Sequence, residues 1–194
     1  MRSIVSTINA YATESEISMS DTLQQWLADE EAVLAALAKG PGPGVALPDQ
    51  VAGKSGLELM HAMLRGELPY AAIAPTLDFL IVGVGDGTAT FQGTPLPRHF
   101  NPMGTVHGGW FATLLDSALG CAVHTKMPPG RAYTTAELGV NIVRALTPKV
   151  PRVRAIGQVV HCGRQLATAE ARLVGPDGTL YAHATTTCLV FETR

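Results

Sequence analysis

The sequence predicts an α+β protein in which one antiparallel sheet wraps a single long central helix, with a helical extension ahead of it. Three observations carry that expectation. Residues 108–124 form a long helical apolar pattern with strand-period segments on both sides. No helix-length segment separates the last four of those strands, which argues against βαβ units and for an antiparallel sheet. The helix itself carries Trp110, Phe111, Leu114, Leu115, Ala118, Leu119, Cys121 and Ala122 over about half its circumference, with no Lys, Arg or Glu on the rest. Such a helix has no fully solvated face, and a curling sheet can surround it.

Taken in order, the elements support this. "SDTLQQWLADEEAVLAALAKG" begins with Ser20 as an N-cap candidate and ends on Lys39 and Gly40. Leu23, Trp26, Leu27, Leu34 and Leu37 fall near helical spacing and are expected to form its packing face. "GPGPG" at 40–44 can continue neither helix nor strand and reads as a linker. We therefore expect residues 1–50 to be a helical extension with its linker, and residues 51–194 to be the main domain. A second short helix is expected at 55–66. "TLDFLIVGVGDGTATFQGTP" reads as two strands around a Gly-Asp-Gly turn. After the long helix come strands near 132–145, 152–162, 166–175 and 179–191, the last two joined by "GPDG".

Composition removes several function classes. With 14 Lys and Arg against 16 Asp and Glu, the formal charge of −2 gives no general attraction to nucleic acid or an anionic membrane. No apolar run reaches the roughly 18–20 residues of a membrane helix. The opening "MRSIVSTINAYA" is too short and polar in its apolar part for a signal peptide. Three scattered cysteines suit a reduced compartment better than a disulfide framework, and the expected location is the cytoplasm. Six histidines show neither H-x-H nor H-E-x-x-H spacing, so no metal site is expected.

The entrance to the long helix carries the chemistry. "NPMGTVHGGWFATLLDSALGCA" runs a histidine into Gly108 and Gly109, then places Asp116 inside an apolar helix. The first N–H groups of a helix lack internal partners and sit at the positive end of its dipole. With glycines there, a carbonyl oxygen or oxyanion can approach the bare amides closely. Thr113, Asp116, Ser117 and His124 share one narrow polar sector, with Gly120 between them. Asp116 lies eight residues beyond Gly108, about 12 Å along the axis, too far for both to act on one carbonyl in the same chain. A second subunit could bring its own Asp116 to that entrance, so a site shared across a dimer is expected.

This stretch resembles the signature of hot-dog fold acyl-CoA thioesterases of the phenylacetate-degradation (PaaI-like) branch. The positions that carry the likeness are Asn101, Gly104, His107, Gly108, Gly109 and Asp116. It extends over about 55–194, through "YTTAELGVNIVRALTP" and "GRQLATAEARLVGPDGTLYAHATTT", and leaves the first fifty residues outside. The resemblance implies hydrolysis of an acyl-CoA to acid and free CoA. In that reading Gly108 N–H polarises the thioester carbonyl, with Gly109 beside it. Asn101 orients water or thioester, and His107 shapes the entrance near the sulfur. Asp116 of the partner subunit acts as general base or nucleophile, and Thr135, or its neighbour Thr134, places the water. No cofactor is implied beyond the CoA that belongs to the substrate. Its phosphates would meet basic residues from a pool of Arg144, Lys149, Arg152, Arg154 and Arg164, with Gly163-Arg164 a candidate N–H nest. A homodimer is expected, and a tetramer as a dimer of dimers. Two other readings stay open at this point: a non-catalytic acyl-CoA sensor and an acyl-carrier-protein thioesterase. Trp110, Phe111 and Met103 could line an acyl pocket for an aromatic or an aliphatic chain alike.

Overall fold

A computed structural model describes residues 18–147 and 149–193. The reading of the opening twelve residues as no signal peptide lies outside the described residues. The first helix, α1 (Met19–Leu37), starts two residues earlier than expected, because Ser18 rather than Ser20 caps it by accepting the Asp21 N–H at 3.2 Å. Its buried face is also different. Trp26, Val33 and Leu37 are buried, whereas Leu27 and Leu34 are exposed. Asp29 and Glu30 share the buried side, where they meet cations of the sheet described below.

The Gly-Pro linker is pinned rather than free. Gly44 N–H donates to the Tyr70 carbonyl at 2.9 Å, and Tyr70 N–H to the Gly42 carbonyl at 3.3 Å. A single turn, α2 (Pro48–Val51), follows, and then α3 (Gly56–Leu64). The capping box of α3 is complete: Ser55 Oγ accepts the Glu58 N–H, and Glu58 returns to accept the Ser55 N–H at 2.7 Å. A Cβ at Gly56 would stand 1.7 Å from the His124 carbonyl oxygen, so only glycine lets α3 begin against the end of the long helix.

Six strands form one antiparallel sheet: β1 (Phe79–Gly85), β2 (Thr88–Gly93), β3 (Arg131–Ile142), β4 (Val153–Cys162), β5 (Leu166–Val174) and β6 (Leu180–Glu192). Their order is β1-β2-β4-β5-β6-β3, which leaves β1 and β3 as the two edges. All six lie within a few residues of where alternation and turn signals place them, and Gly87 (φ +76°) closes the first hairpin.

The central helix α4 (Gly108–Thr125) packs mainly on β2, β4 and β5. Leu114, Leu115, Ala118, Leu119, Ala122 and Val123 are all fully buried. Each of the three leucines contributes roughly 1.5–3 kcal/mol by leaving water. Contact with the sheet is backbone-close at Gly157, where a Cβ would be 2.3 Å from the Ala118 carbonyl oxygen. This is the expected hot-dog architecture, an antiparallel sheet around one long helix with N-terminal helices added.

Candidate active site

His107 is the N-cap of α4, and its Nδ1 accepts the Gly109 N–H at 2.9 Å. That bond leaves the imidazole proton on Nε2 in the neutral ring. Trp110 N–H turns back to the His107 carbonyl at 3.0 Å. Of the two glycine amides expected to be bare, Gly109 is therefore occupied. Gly108 N–H, at the first helical position, has no intrahelical acceptor and no backbone partner elsewhere among the described residues.

A cleft of about 320 Å³ opens at this helix start, lined by Asn101, Thr105, Gly108, Phe111, Ile142 and Arg144 among others. Asn101 holds the preceding loop in shape. Its Oδ1 accepts the Met103 N–H at 2.8 Å, and its Nδ2 donates to Thr105 Oγ1 at 2.9 Å. One Nδ2 hydrogen is left over for a ligand in the cleft. Arg144 comes from the segment just after β3, so the cleft combines a free amide, an amide side chain and a cation.

Asp116 faces a different cavity. A chamber of about 230 Å³ is bounded by Asp116, Ser117, Gly120 and Cys121 of α4, by Tyr133 and Thr135 of β3, and by apolar side chains. Asp116 is half-buried there, not enclosed in the core. Thr135 Oγ1 donates to its Oδ1 at 3.2 Å, whereas strand alternation turns the neighbouring Thr134 to the opposite face. The other hydroxyls of the polar sector are spent on the helix itself, Thr113 on the Gly109 carbonyl and Ser117 on the Thr113 carbonyl. Asp116 is thus the sector's one unconsumed acid.

Two further chamber groups stay neutral. Burial, and secondarily the Asp116 carboxylate, push the Cys121 thiol up to about 12. Burial likewise holds the Tyr133 hydroxyl well above its usual range. A Cβ at position 120 would lie 2.8 Å from that hydroxyl, which explains the glycine.

Several expected contacts fall elsewhere. Trp110 is buried with its Nε1 bonded to the Leu77 carbonyl at 2.8 Å, and Met103 is exposed; only Phe111 of that trio lines the cleft. Gly163 N–H already donates to the Leu166 carbonyl at 2.8 Å, so the hairpin turn is not the open nest its sequence suggests. Arg164 is exposed in that turn and lines neither cavity. Arg152 and Arg154 are also withdrawn from the phosphate pool, because Glu30 and Asp29 of α1 pair with them at 2.6 and 2.7 Å. Reasoning from sequence missed Leu37, Met63, Tyr70 and Ala74 as chamber residues. Nothing local in the sequence marks them, since each is an apolar residue far from the motif.

Comparison with known proteins fits this geometry. The family model described as "Thioesterase superfamily" matches residues 103–182, from the loop before α4 into β6. A candidate esterase of Halobacterium salinarum is 34% identical over 115 residues, covering 56% of this chain and 76% of that protein. The chain belongs to the thioesterase superfamily. Among solved structures, a candidate thioesterase of Ralstonia eutropha, described as phenylacetic acid degradation-related, superposes with a TM-score of 0.61 at 29% identity, covering 66% of this chain and 97% of that one. A variant of the phenylacetic acid degradation protein PaaI from Thermus thermophilus matches with a TM-score of 0.54 at 27% identity, covering 60% and 96%. The E. coli PaaI protein, at 21% identity and a TM-score of 0.60, shares the fold. This thioesterase therefore sits with the PaaI-like branch, and its general chemistry is thioester hydrolysis. Among its described residues, no helix is long and apolar enough to cross a membrane.

Proposed function

We propose that this thioesterase hydrolyses acyl-CoA in a site assembled from two subunits. The thioester carbonyl lies in the cleft against Gly108 N–H of one protomer, and the partner subunit's Asp116 supplies the carboxylate. One observation carries the reading: each chain holds a free helix-start amide and a Thr135-oriented carboxylate in two separate cavities. Residues 51–194 form the catalytic domain and residues 1–50 its extension. Edge strand β3 bears Thr135 and exposes residues 134–137, so pairing of two β3 edges would join two copies beside the site. Two such dimers make the tetramer, and the enzyme acts in the cytoplasm.

In the reaction, Asp116 takes a proton from water as the water oxygen bonds the thioester carbon. The carbonyl electron pair moves to oxygen, and Gly108 N–H and the α4 dipole hold that oxyanion. When it collapses, the C–S bond breaks and the CoA sulfur leaves with the proton from Asp116. Asn101 and His107 border the departing group, and Arg144 offers a guanidinium to CoA phosphate. CoA enters only as part of the substrate, and a carboxylate with an oxyanion site suffices without a metal or a serine nucleophile.

The test is thiol release from aryl- and fatty-acyl-CoAs by wild type and Asp116→Asn. Loss of turnover in a folded Asp116→Asn chain is expected. Mixed dimers of Asp116→Asn with Gly108→Val should regain part of the activity, because one of the two composite sites is then intact. Persistent turnover in Asp116→Asn would refute the assignment, and tight binding without turnover by wild type would make the protein an acyl-CoA sensor.

A further inference from the structure

The Asp116 chamber has a wall that comes from outside the family-matched residues. Leu37, in the last turn of α1, lines it with only 7% of its surface exposed. Met63 of α3, Tyr70 and Ala74 continue the same wall, and all four precede residue 103, where the family match begins.

That wall is anchored. Arg152 Nε bonds Glu30 Oε2 at 2.6 Å, and an Arg154 nitrogen bonds Asp29 Oδ2 at 2.7 Å. Between them Gln92, 1% exposed, accepts from Arg154 Nε at 2.8 Å. It donates to Glu30 at 2.7 Å and to the Trp26 carbonyl at 3.1 Å. The Arg154 guanidinium also lies 4.6 Å from the centre of the Trp26 ring. These contacts fix the rotation of α1, and rotation decides whether Leu37 or a smaller neighbour such as Ala35 or Ala36 meets the chamber. The linker then ties to Tyr70 through the two backbone bonds at Gly42 and Gly44.

We propose that α1 and the segment running to Ala74 are the acyl-selecting wall of this enzyme. They close the chamber around the apolar part of the acyl group and set the longest chain it accepts. This rests on reading Asp116 as the hydrolytic carboxylate. A dry apolar cavity of roughly 150 Å³ holds one benzene. At about 230 Å³ this chamber takes one aromatic ring with a short linker, or an aliphatic chain of similar volume. Leu37 stands as the stop against longer groups.

The experiment measures kcat/KM across straight-chain acyl-CoAs of roughly four to twelve carbons, where one methylene in an apolar pocket is worth about 10–200-fold. The same series as non-hydrolysable S-alkyl-CoA thioethers gives binding by calorimetry. Leu37→Ala should raise kcat/KM for the first chain beyond the wild-type limit by about tenfold or more. Leu37→Phe should shorten the limit, so the pair moves in opposite directions, and Met63→Ala serves where Leu37→Ala does not fold. An unchanged limit in folded Leu37→Phe and either alanine variant overturns the inference. Absence of turnover with thioether binding whose length limit moves in the same way upholds the wall and refutes the hydrolytic reading. Absence of thioether binding by wild type overturns the wall whatever thiol release shows.

Discussion

Removing Arg154 tests whether α1 belongs to the fold or merely rests on it. Arg154→Met keeps an unbranched side chain and deletes the guanidinium that lies over Trp26. Gln92 Oε1 is then a buried acceptor without its donor, which costs about 1–3 kcal/mol. The cation over the Trp26 ring contributes about 0.5–1 kcal/mol more. Asp29 is a third exposed, so its pair with Arg154 is screened and adds only about 0.2–1 kcal/mol. Burial alone would raise the Asp29 carboxyl, but hydrogen bonds from Arg154 and Gln25 outweigh it and hold it below its ordinary value. The direction agrees with a net favourable pair. The variant should lose about 2–5 kcal/mol in urea unfolding, measured at fixed protein concentration because self-association would add to apparent stability. Adding Gln92→Leu removes the stranded acceptor as well, so the double variant should be about 1 kcal/mol more stable than additivity predicts. A cost for Arg154→Met below about 0.5 kcal/mol, the range of an ordinary surface change, would refute the buried clamp. So would additivity within about 0.3 kcal/mol.

Two further outcomes follow from the titratable groups along α4. Burial lowers the His124 pKa from 6.5, outweighing the pull of the helix C-terminus toward the charged form. The unfolded chain then binds the extra proton first, so the His124 contribution is fully present above pH 6.5 and is lost as pH falls through the folded value. His124→Gln should flatten the acid side of the unfolding free energy plotted against pH by up to about 1.4 kcal/mol per pH unit, and an unchanged slope would count against it. Cys121, with its thiol pushed up to about 12, should resist iodoacetamide in the native protein at neutral pH and react on unfolding. Rapid native alkylation at that position would contradict its environment.

The sequence disclosed the strands and α4 because their signals are local. Alternation of Ala167, Ala169 and Ala171 is visible without knowing what lies beneath, and all three are buried. The helix entrance was legible for the same reason, since Asn101 to Asp116 is one continuous stretch. The limits were non-local. α1 reads as burying Leu27 and Leu34, yet Asp29 and Glu30 point inward because their cations stand at 152 and 154, more than a hundred residues away. Gly109 reads as a free amide until the rotamer of His107 is known. At Thr134 and Thr135 a one-residue ambiguity could be resolved only by strand direction, with the β-bulge between Thr135 and Glu137 shifting the register just after it.

That division follows the chemistry. In the proposed mechanism, holding an oxyanion needs a backbone amide at a helix start and deprotonating water needs one oriented carboxylate, so α4 of each subunit carries both groups and gives one to each composite site. Such machinery must keep its spacing and stays contiguous in the chain. Selecting an acyl group needs only apolar volume at a set distance from the carbonyl, and any element that reaches the chamber can provide it. Leu37 and Thr135 bound one cavity from positions 98 apart in the chain, brought together by ion pairs that contribute no atom to catalysis. A wall of that kind can change without disturbing Gly108 or Asp116. On this proposal, it is the part of this thioesterase in which its own substrate preference is written.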